Sequence, residues 1–184
     1  MAGTIPAVMS ARPPVVLIAA RNEAERLPAT LRALAAAFPG ARVVVADDGS
    51  TDGTAALAAR AGAEVVRAPR PLGKGGAATL AARAVLDRTS APDPPLVLLC
   101  DADLGDSAAR LAPLLDAVES GAADLAVAVF AKRVGGGFGL AVGAARRAIA
   151  HATGLMLRAP ISGQRAMRGE VLACVIPFAA GFGM

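Results

Sequence analysis

The feature that most constrains the fold is a repeated change of hydrophobic period along the first part of the chain. Short apolar runs of strand length alternate with longer stretches whose apolar residues recur at helical spacing. This alternation with short connections predicts an α/β domain with a mostly parallel sheet flanked by helices. The first four strands are predicted over residues 15–20, 43–46, 63–67 and 96–100.

Helix signals fill the intervals between these runs. Asn22 can cap the first helix, which opens within residues 21–27, and Pro39-Gly40 ends it. A Gly-rich turn, residues 71–76, leads into a helix that ends near Arg88. Further helices are predicted over 54–61, 111–118 and 140–153 and from Glu170 onward. A fifth strand is predicted over 125–130, a mobile loop over 132–139, and a strand or loop over 161–167.

Polar clusters follow three of the predicted strands, at 21–23, 47–52 and 101–103. Ligands of open α/β sheets bind at the carboxyl ends of the strands. Three clusters that all fall at such ends are more informative than any one of them, and they predict a ligand site at this edge of the sheet.

Asp101 and Asp103 follow the fourth strand, one residue apart. Alternate strand residues face the same side, so the two carboxylates can converge where the strand ends. Paired carboxylates suit Mg²⁺ or Mn²⁺, with water and substrate phosphates filling the other positions. The alternative is a solvated acidic turn in which Asp106 caps the next helix.

The other acidic residues also have two interpretations. Asp47 and Asp48 can accept hydrogen bonds from a base N–H or a ribose hydroxyl, or they can belong to an ordinary Asp-Gly turn. Thr51 or Asp52 would then cap the following helix. Glu23 can bind a ribose hydroxyl or simply favour the first turn of its helix through the macrodipole.

Lys74 lies in the Gly-rich segment 73–76, which offers a cation and backbone N–H groups to an anion. The spacing matches neither a P-loop nor a dinucleotide fingerprint. Residues 162–165 can present the Arg165 guanidinium to a phosphate or can be a tight strand entry. With His151 as the one histidine, predicted on a helix surface, no Ser-His-Asp or Cys-His hydrolase arrangement is recognisable.

Composition excludes several classes of protein. Tyr and Trp are absent, and the net charge of +4 is spread along the chain, which argues against nucleic-acid binding. Cys100 and Cys174 lack metal or disulfide spacing and predict reduced thiols in a cytoplasmic protein. No segment has the ~18 apolar residues of a membrane span. Any membrane association, such as at the inner face, would be peripheral, and residues 1–12 are expected to form a loose leader.

Four motifs in order carry a family resemblance: Ala-Ala-Arg-Asn-Glu at 19–23, Asp-Asp-Gly-Ser-Thr-Asp at 47–52, Gly-Lys-Gly-Gly-Ala at 73–77 and Asp-Ala-Asp-Leu at 101–104. They resemble family-2-type glycosyltransferases with the GT-A fold, a Rossmann-like, mostly parallel sheet flanked by helices. The polyprenyl-phosphate (dolichol-phosphate-mannose-like) synthases and the glucosyl-3-phosphoglycerate synthases are the most similar branches. Residues 161–166 and 177–183 match later segments of the family.

The resemblance implies a nucleoside-diphosphate sugar as donor and Mg²⁺ or Mn²⁺ as cofactor. Ala20, Arg21 and Glu23 would lie along the nucleoside, and Asp48 and Asp47 would contact base or ribose. Lys74 would support the nucleotide. Asp101 and Asp103 would be the catalytic pair that faces ribose, diphosphate and metal, and Gln164 and Arg165 would lie on the acceptor side.

The resemblance also implies a domain organisation. Residues 1–184 are expected to form one domain, with 14–106 as the nucleotide-sugar half and 107–184 as the acceptor half. Because the family continues past this point with an acidic residue, we expect a domain truncated at its C-terminus, with an incomplete acceptor half. The apolar end, 171–184, could drive oligomerisation.

Two other functions compete with the glycosyltransferase. One is a truncated or inactive domain that binds a nucleotide without turnover. The other is a sugar-phosphate nucleotidyltransferase, which would carry a Gly-x-Gly-x-Arg loop after the first strand, where this chain has 20–23 instead.

Overall fold

The computed structural model describes residues 13–89, 94–129, 138–156 and 162–179, with the backbone alone for 138–142. The strands are β1 Val15–Ala20, β2 Arg42–Asp47, β3 Glu64–Arg67, β4 Leu96–Asp101, β5 Leu125–Val127 and β6 Arg165–Arg168. They form one six-stranded sheet in the order β3-β2-β1-β4-β6-β5. The predicted α/β architecture is confirmed.

Helices connect most of the strands. They are α1 Leu27–Ala37, α2 Thr54–Arg60, α3 Gly73–Leu86, α4 Ala112–Glu119, α5 Phe138–Thr153 and α6 Gly169–Val175, with a 3-10 helix over Gly105–Leu111. No helix in the described part of the chain is long and apolar enough to cross a bilayer. The predicted leader, residues 1–12, and most of the predicted loop over 132–139 lie outside the described residues.

The central strands are apolar on both faces because helices cover both faces of the sheet. Along β1, Val16 and Ile18 belong to one hydrophobic core, which also includes Leu34 of α1. Leu17 faces the opposite core, where it joins Ala78 of α3. The period-2 alternation of a strand therefore divides one continuous apolar run between two cores.

The order in which successive strands are added to the sheet changes direction at β1. Strands β2 and β3 lie on one side of β1 and β4 lies on the other, all four parallel. This change of strand order opens a crevice at the carboxyl ends of β1 and β4, where ligands of such sheets bind.

Strand β6 is the departure from a parallel sheet. It pairs antiparallel with both β4 and β5, and Leu99 of β4 lies opposite Arg165. The sheet therefore remains mostly parallel, as predicted. The pairing also brings the start of β6 next to the carboxyl end of β4, although more than sixty residues separate them in sequence.

Several local predictions were wrong. Asn22 does not cap α1, which begins at Leu27. Residues 73–76 form the first turn of α3 rather than a turn before it. Asp106 lies inside the 3-10 helix instead of capping a helix. Strand β5 ends at Val127, short of the predicted 130.

Candidate active site

The carboxyl ends of β1, β2 and β4 lie side by side. The sheet register pairs Ala20 with Asp47 and Ala19 with Asp101. The two acidic clusters therefore flank the segment that follows β1, as expected for parallel strands that end at one edge. This edge holds most of the predicted site residues.

Asp101 is the centre of a tight polar cluster. The Lys74 ammonium forms an ion pair with Oδ1 of Asp101, and the Gln164 amide donates to Oδ2. Ser162 donates its hydroxyl to Oε1 of Gln164 at 3.2 Å, which leaves the amide nitrogen to face Asp101. Lys74 comes from the start of α3 and Gln164 from the residue before β6, so three distant segments meet at one carboxylate.

Gly163 fits this cluster because it has no side chain. A Cβ at this position would lie 2.9 Å from Oδ1 of Asp101 and 3.1 Å from Nζ of Lys74. Both distances are shorter than an ordinary van der Waals contact. Gly163 was not among the predicted site residues. The tight strand entry predicted at 162–165 was nevertheless a signal for close backbone approach.

Asp103 is more accessible than Asp101. Its side chain is 49% exposed, and Oδ2 lies 3.8 Å from a guanidinium nitrogen of Arg26, beyond hydrogen-bond distance. The same arginine pairs closely with Glu23 at 2.7 Å. Burial raises the pKa of Glu23 above its ordinary value, the charge of Arg26 opposes this increase, and the Asp103 carboxylate adds to it.

Asp47 and Asp48 are both buried, and hydrogen bonds engage both carboxylates. Asp47 accepts from the Arg67 guanidinium at 3.0 Å and from the Ser50 N–H at 3.2 Å. Asp48 accepts from the N–H groups of Leu72 and Gly73 at 2.6 and 3.0 Å. Of the segment 73–76, whose N–H groups were expected to bind an anion, Gly73 thus donates to the chain's own Asp48.

The segment after β1 is held against the segment after β2. Asn22 has a left-handed φ of 55°, its N–H donates to Ser50, and its side-chain oxygen accepts from Thr51. The Glu23 N–H donates to the Thr54 hydroxyl at 2.8 Å. Asn22 therefore joins two loops, which explains why it does not cap α1. Arg21 is exposed at this edge.

Arg165 lies beside Gln164 with its Nε donating to the Ser162 carbonyl at 2.9 Å. Burial lowers the pKa of Arg165 below its ordinary value. Guanidinium groups remain charged in proteins, so this side chain places a partly desolvated positive charge on the β6 side of the cluster.

Cys100 precedes Asp101 and is buried in the hydrophobic core that includes Val16 and Ile18. Burial raises the pKa of this thiol to about 12, and the carboxylates of Asp101 and Asp103 add to the increase. Cys174 is exposed, and both cysteines are free thiols. The thiol of Cys100 is therefore a packed, unreactive group.

The accessible carboxylate of Asp103 fits a small divalent cation. The described residues include no group of three or more His, Cys, Asp or Glu side chains that could hold a metal. One or two carboxylates suffice when substrate phosphates complete the coordination. Asp103 offers accessible oxygens for this purpose, whereas Lys74 and Gln164 already engage both oxygens of Asp101.

The sheet order and its acidic edge define a domain of the GT-A class. The profile of Glycosyl transferase family 2 matches residues 15–182, and the chain belongs to that family. An uncharacterized glycosyltransferase of Mycobacterium bovis and one of Mycobacterium tuberculosis are each 39% identical over 107 residues. These matches cover 58% of the chain and 44% of each relative, so the chain spans less than half of their length.

Solved structures of glucosyl-3-phosphoglycerate synthase from Mycobacterium tuberculosis are similar in fold. A complex with Mn²⁺, UDP-glucose and phosphoglyceric acid has a TM-score of 0.71 at 27% identity. The similarity covers 94% of this chain and 61% of that one. A complex with Mn²⁺, UDP and glucosyl-3-phosphoglycerate has a TM-score of 0.71 at 26% identity, with 94% and 62% covered.

Proposed function

We propose that this chain transfers a hexose from a nucleoside-diphosphate sugar to an acceptor in a metal-dependent reaction. The observation that carries the proposal is the Lys74–Asp101–Gln164 cluster beside the accessible Asp103, at the crevice of a family 2 domain. The donor would be UDP-glucose-like or GDP-mannose-like. The solved synthases, crystallised with UDP-glucose and Mn²⁺, support the first of these.

The nucleoside would lie across the loops that follow β1 and β2. Ala20, Arg21 and Glu23 would line one side, and Asp47 and Asp48 would contact base or ribose from the other. Both aspartates already accept hydrogen bonds, and Asp47 is fully buried, so Asp48, whose carboxylate offers about four acceptor positions, would make the main contact. The hydrogen bonds from Arg67 and the start of α3 would hold these acceptors in place.

Asp103, with Asp101 beside it, would hold Mn²⁺ or Mg²⁺. A cation there would supply Lewis-acid neutralisation of the departing diphosphate. Asp101 would orient the donor, and its bond to Lys74 would keep the ammonium at the point where the diphosphate enters. Lys74 would then add a second positive charge to stabilise negative charge that develops on the leaving group.

Residues 162–165 would form the acceptor side. Gln164 contacts Asp101 directly, and the partly desolvated charge of Arg165 suits a phosphate on the acceptor. An attacking phosphate oxygen is already anionic and needs no protein base, whereas a hydroxyl would need one. We therefore propose a polyprenyl phosphate or a phosphorylated small molecule as acceptor. The phosphoglyceric acid bound by the solved synthase supports this class.

The setting of the reaction is part of the same proposal. The free thiols of Cys100 and Cys174 suit a cytoplasmic location, where thiols stay reduced. Peripheral contact with the inner face of the membrane would follow if the acceptor is a polyprenyl phosphate. We expect residues 14–106 to bind the donor and residues 107–184 to face the acceptor.

Calorimetric titration with UDP and with GDP, each with Mn²⁺ and with EDTA, tests the donor site. We expect one nucleotide to bind, with an affinity about tenfold or more higher in Mn²⁺, because the cation would connect Asp103 to the diphosphate. Asp103→Asn should remove the Mn²⁺ effect. Asp106→Asn removes the same charge from an exposed side chain nearby and serves as the control.

Two outcomes would count against the proposal. One is a folded wild-type protein that binds neither nucleotide. The other is an Asp103→Asn variant whose response to Mn²⁺ equals that of Asp106→Asn, because the metal would then lie elsewhere.

A further inference from the structure

Thr30 connects α1 to the loop that follows β4. Its side chain is fully buried in the first turn of α1. The hydroxyl donates to the Ala102 carbonyl at 2.8 Å and accepts from the Gly105 N–H, also at 2.8 Å. More than seventy residues separate the partners in sequence, so one hydroxyl group joins two remote segments.

The two bonded backbone groups lie on either side of Asp103. A buried backbone group that loses its partner carries a free-energy cost, so movement of this loop away from the hydroxyl would be unfavourable, above all at the buried Ala102 carbonyl. Gly105 also has a positive φ of 52°, which turns the chain back toward α1. Thr30 thereby fixes the path of the backbone from Ala102 to Gly105.

The side chain of Asp103 has weaker restraints of its own. It is half exposed, and its ion pair with Arg26 spans 3.8 Å. Asp101, by contrast, accepts hydrogen bonds from the Lys74 ammonium and the Gln164 amide. The position of the Asp103 carboxylate therefore depends mainly on the backbone that carries it.

We propose that Thr30 is a positioning residue for the metal-binding carboxylate. It holds the Asp103 loop against α1 so that the carboxylate is in place before metal and nucleotide arrive. This inference rests on the proposed function, because it concerns the same metal site. Its consequence is specific: loss of the hydroxyl should weaken the contribution of Mn²⁺ to nucleotide binding more than it weakens metal-free binding.

Thr79 provides a matched control within the chain. It is also a buried threonine, and its hydroxyl donates to the Gly75 carbonyl at 2.7 Å and accepts from the Phe178 N–H at 2.9 Å. It packs in the opposite hydrophobic core, away from the Asp103 loop. Thr79→Val thus removes one donated and one accepted hydrogen bond, as Thr30→Val does, and leaves the proposed positioning contact intact.

The experiment compares wild type, Thr30→Val, Thr30→Ser and Thr79→Val. For each, the Kd of the nucleotide that the wild type binds is measured by calorimetry in Mn²⁺ and in EDTA, together with Tm. We expect Thr30→Val to lose roughly tenfold of the Mn²⁺ enhancement, a loss typical of groups that orient a metal ligand. Thr30→Ser should restore the enhancement, and Thr79→Val should keep it even if its Tm falls.

An unchanged enhancement in Thr30→Val, or an equal loss in Thr79→Val, would overturn the inference while the proposed function stands. No enhancement in the folded wild type would overturn the proposed function, and the inference with it. If Thr30→Val does not fold, the inference is tested instead by the rate of hydrogen exchange of the Gly105 amide in the wild-type protein. Mn²⁺ with nucleotide should slow that exchange beyond the effect of nucleotide alone, and an equal rate would contradict the inference.

Discussion

Asp101 is restrained on each side by a different kind of group. Lys74 and Gln164 engage its two oxygens, and the bare backbone of Gly163 approaches closely enough that a methyl group would collide with the carboxylate. Such close approach is a common reason for glycine beside a functional group. Added volume at Gly163 should therefore disturb the contacts of Asp101.

Gly163→Ala should weaken nucleotide binding by about tenfold, because the added methyl group would displace Asp101 or Lys74 from its place in the cluster. Gly143→Ala is the control. Gly143 lies within α5, and among the described residues no heavy atom beyond the backbone of its own helix lies within 4 Å of its would-be Cβ, so alanine there should leave affinity unchanged and raise stability slightly. Equal affinities of the two variants for the nucleotide would contradict this prediction.

Glu23 gives a pH dependence with a definite sign. Burial raises its pKa in the folded state, so the folded state holds the proton more tightly than the unfolded state does. This contribution to stability is fully present below the unfolded pKa and is lost as the pH rises through the folded value. Glu23→Gln, which cannot ionise, should therefore have a Tm at least equal to wild type near pH 7.

Thermal unfolding at several pH values checks the sign. The Tm advantage of Glu23→Gln over wild type should shrink as the pH falls below about 4, where the wild-type carboxyl is protonated in both states. Glu25→Gln removes an equal charge from an exposed neighbour and serves as the control. A wild type more stable than Glu23→Gln at pH 7 would show that the Arg26 ion pair outweighs burial.

At the scale of elements, two ion pairs join β2 to β3: Arg67 with Asp47, and Arg42 with Glu64 at 2.8 Å. Arg67 is 62% exposed, but its partner Asp47 is fully buried. Arg88 is 60% exposed and pairs with Glu64, whose side chain is 26% exposed. The two arginines are alike in exposure, but the Arg67 partner is fully buried, whereas Glu64 is more exposed and keeps a second cation, Arg42.

Arg67→Ala should therefore lower the free energy of unfolding by about 1–3 kcal/mol, since it leaves a buried carboxylate without its cation. Arg88→Ala should cost less than about 1 kcal/mol, as is usual for pairs near the surface. Urea unfolding of the two variants measures both values. A loss in Arg88→Ala as large as that in Arg67→Ala would contradict the role assigned to the buried carboxylate.

Some of the elements could be predicted from the sequence and others could not. Local apolar runs predicted the parallel strands, and the acidic clusters were recognised where these runs end. Both features depend only on residues that are close in sequence. The antiparallel pairing of β6 with β4 and the contact between Gln164 and Asp101 join remote segments, and no local pattern encodes them. The hydrogen bonds of Thr30 and the ion pair of Arg67 were not predicted for the same reason, since each has a partner far along the chain or across the sheet.

For the whole molecule, the central claim is that strands converging at one edge of the sheet create a metal-assisted nucleotide site. The fold supplies the convergence: β1 and β4 are parallel neighbours at the switch of strand order, and the antiparallel β6 adds a third segment beside them. Two carboxylates are too few to hold Mg²⁺ or Mn²⁺ tightly alone, so metal and nucleotide should bind together.

A crystal structure of the protein with Mn²⁺ and the nucleotide that it binds, with anomalous diffraction data for manganese, tests this claim most directly. The account predicts one strong anomalous peak within coordination distance of an Asp103 carboxylate oxygen and of the nucleotide phosphates, and no such peak when the nucleotide is left out. A manganese peak remote from Asp103, or nucleotide density away from the carboxyl ends of β1 and β4, would contradict it.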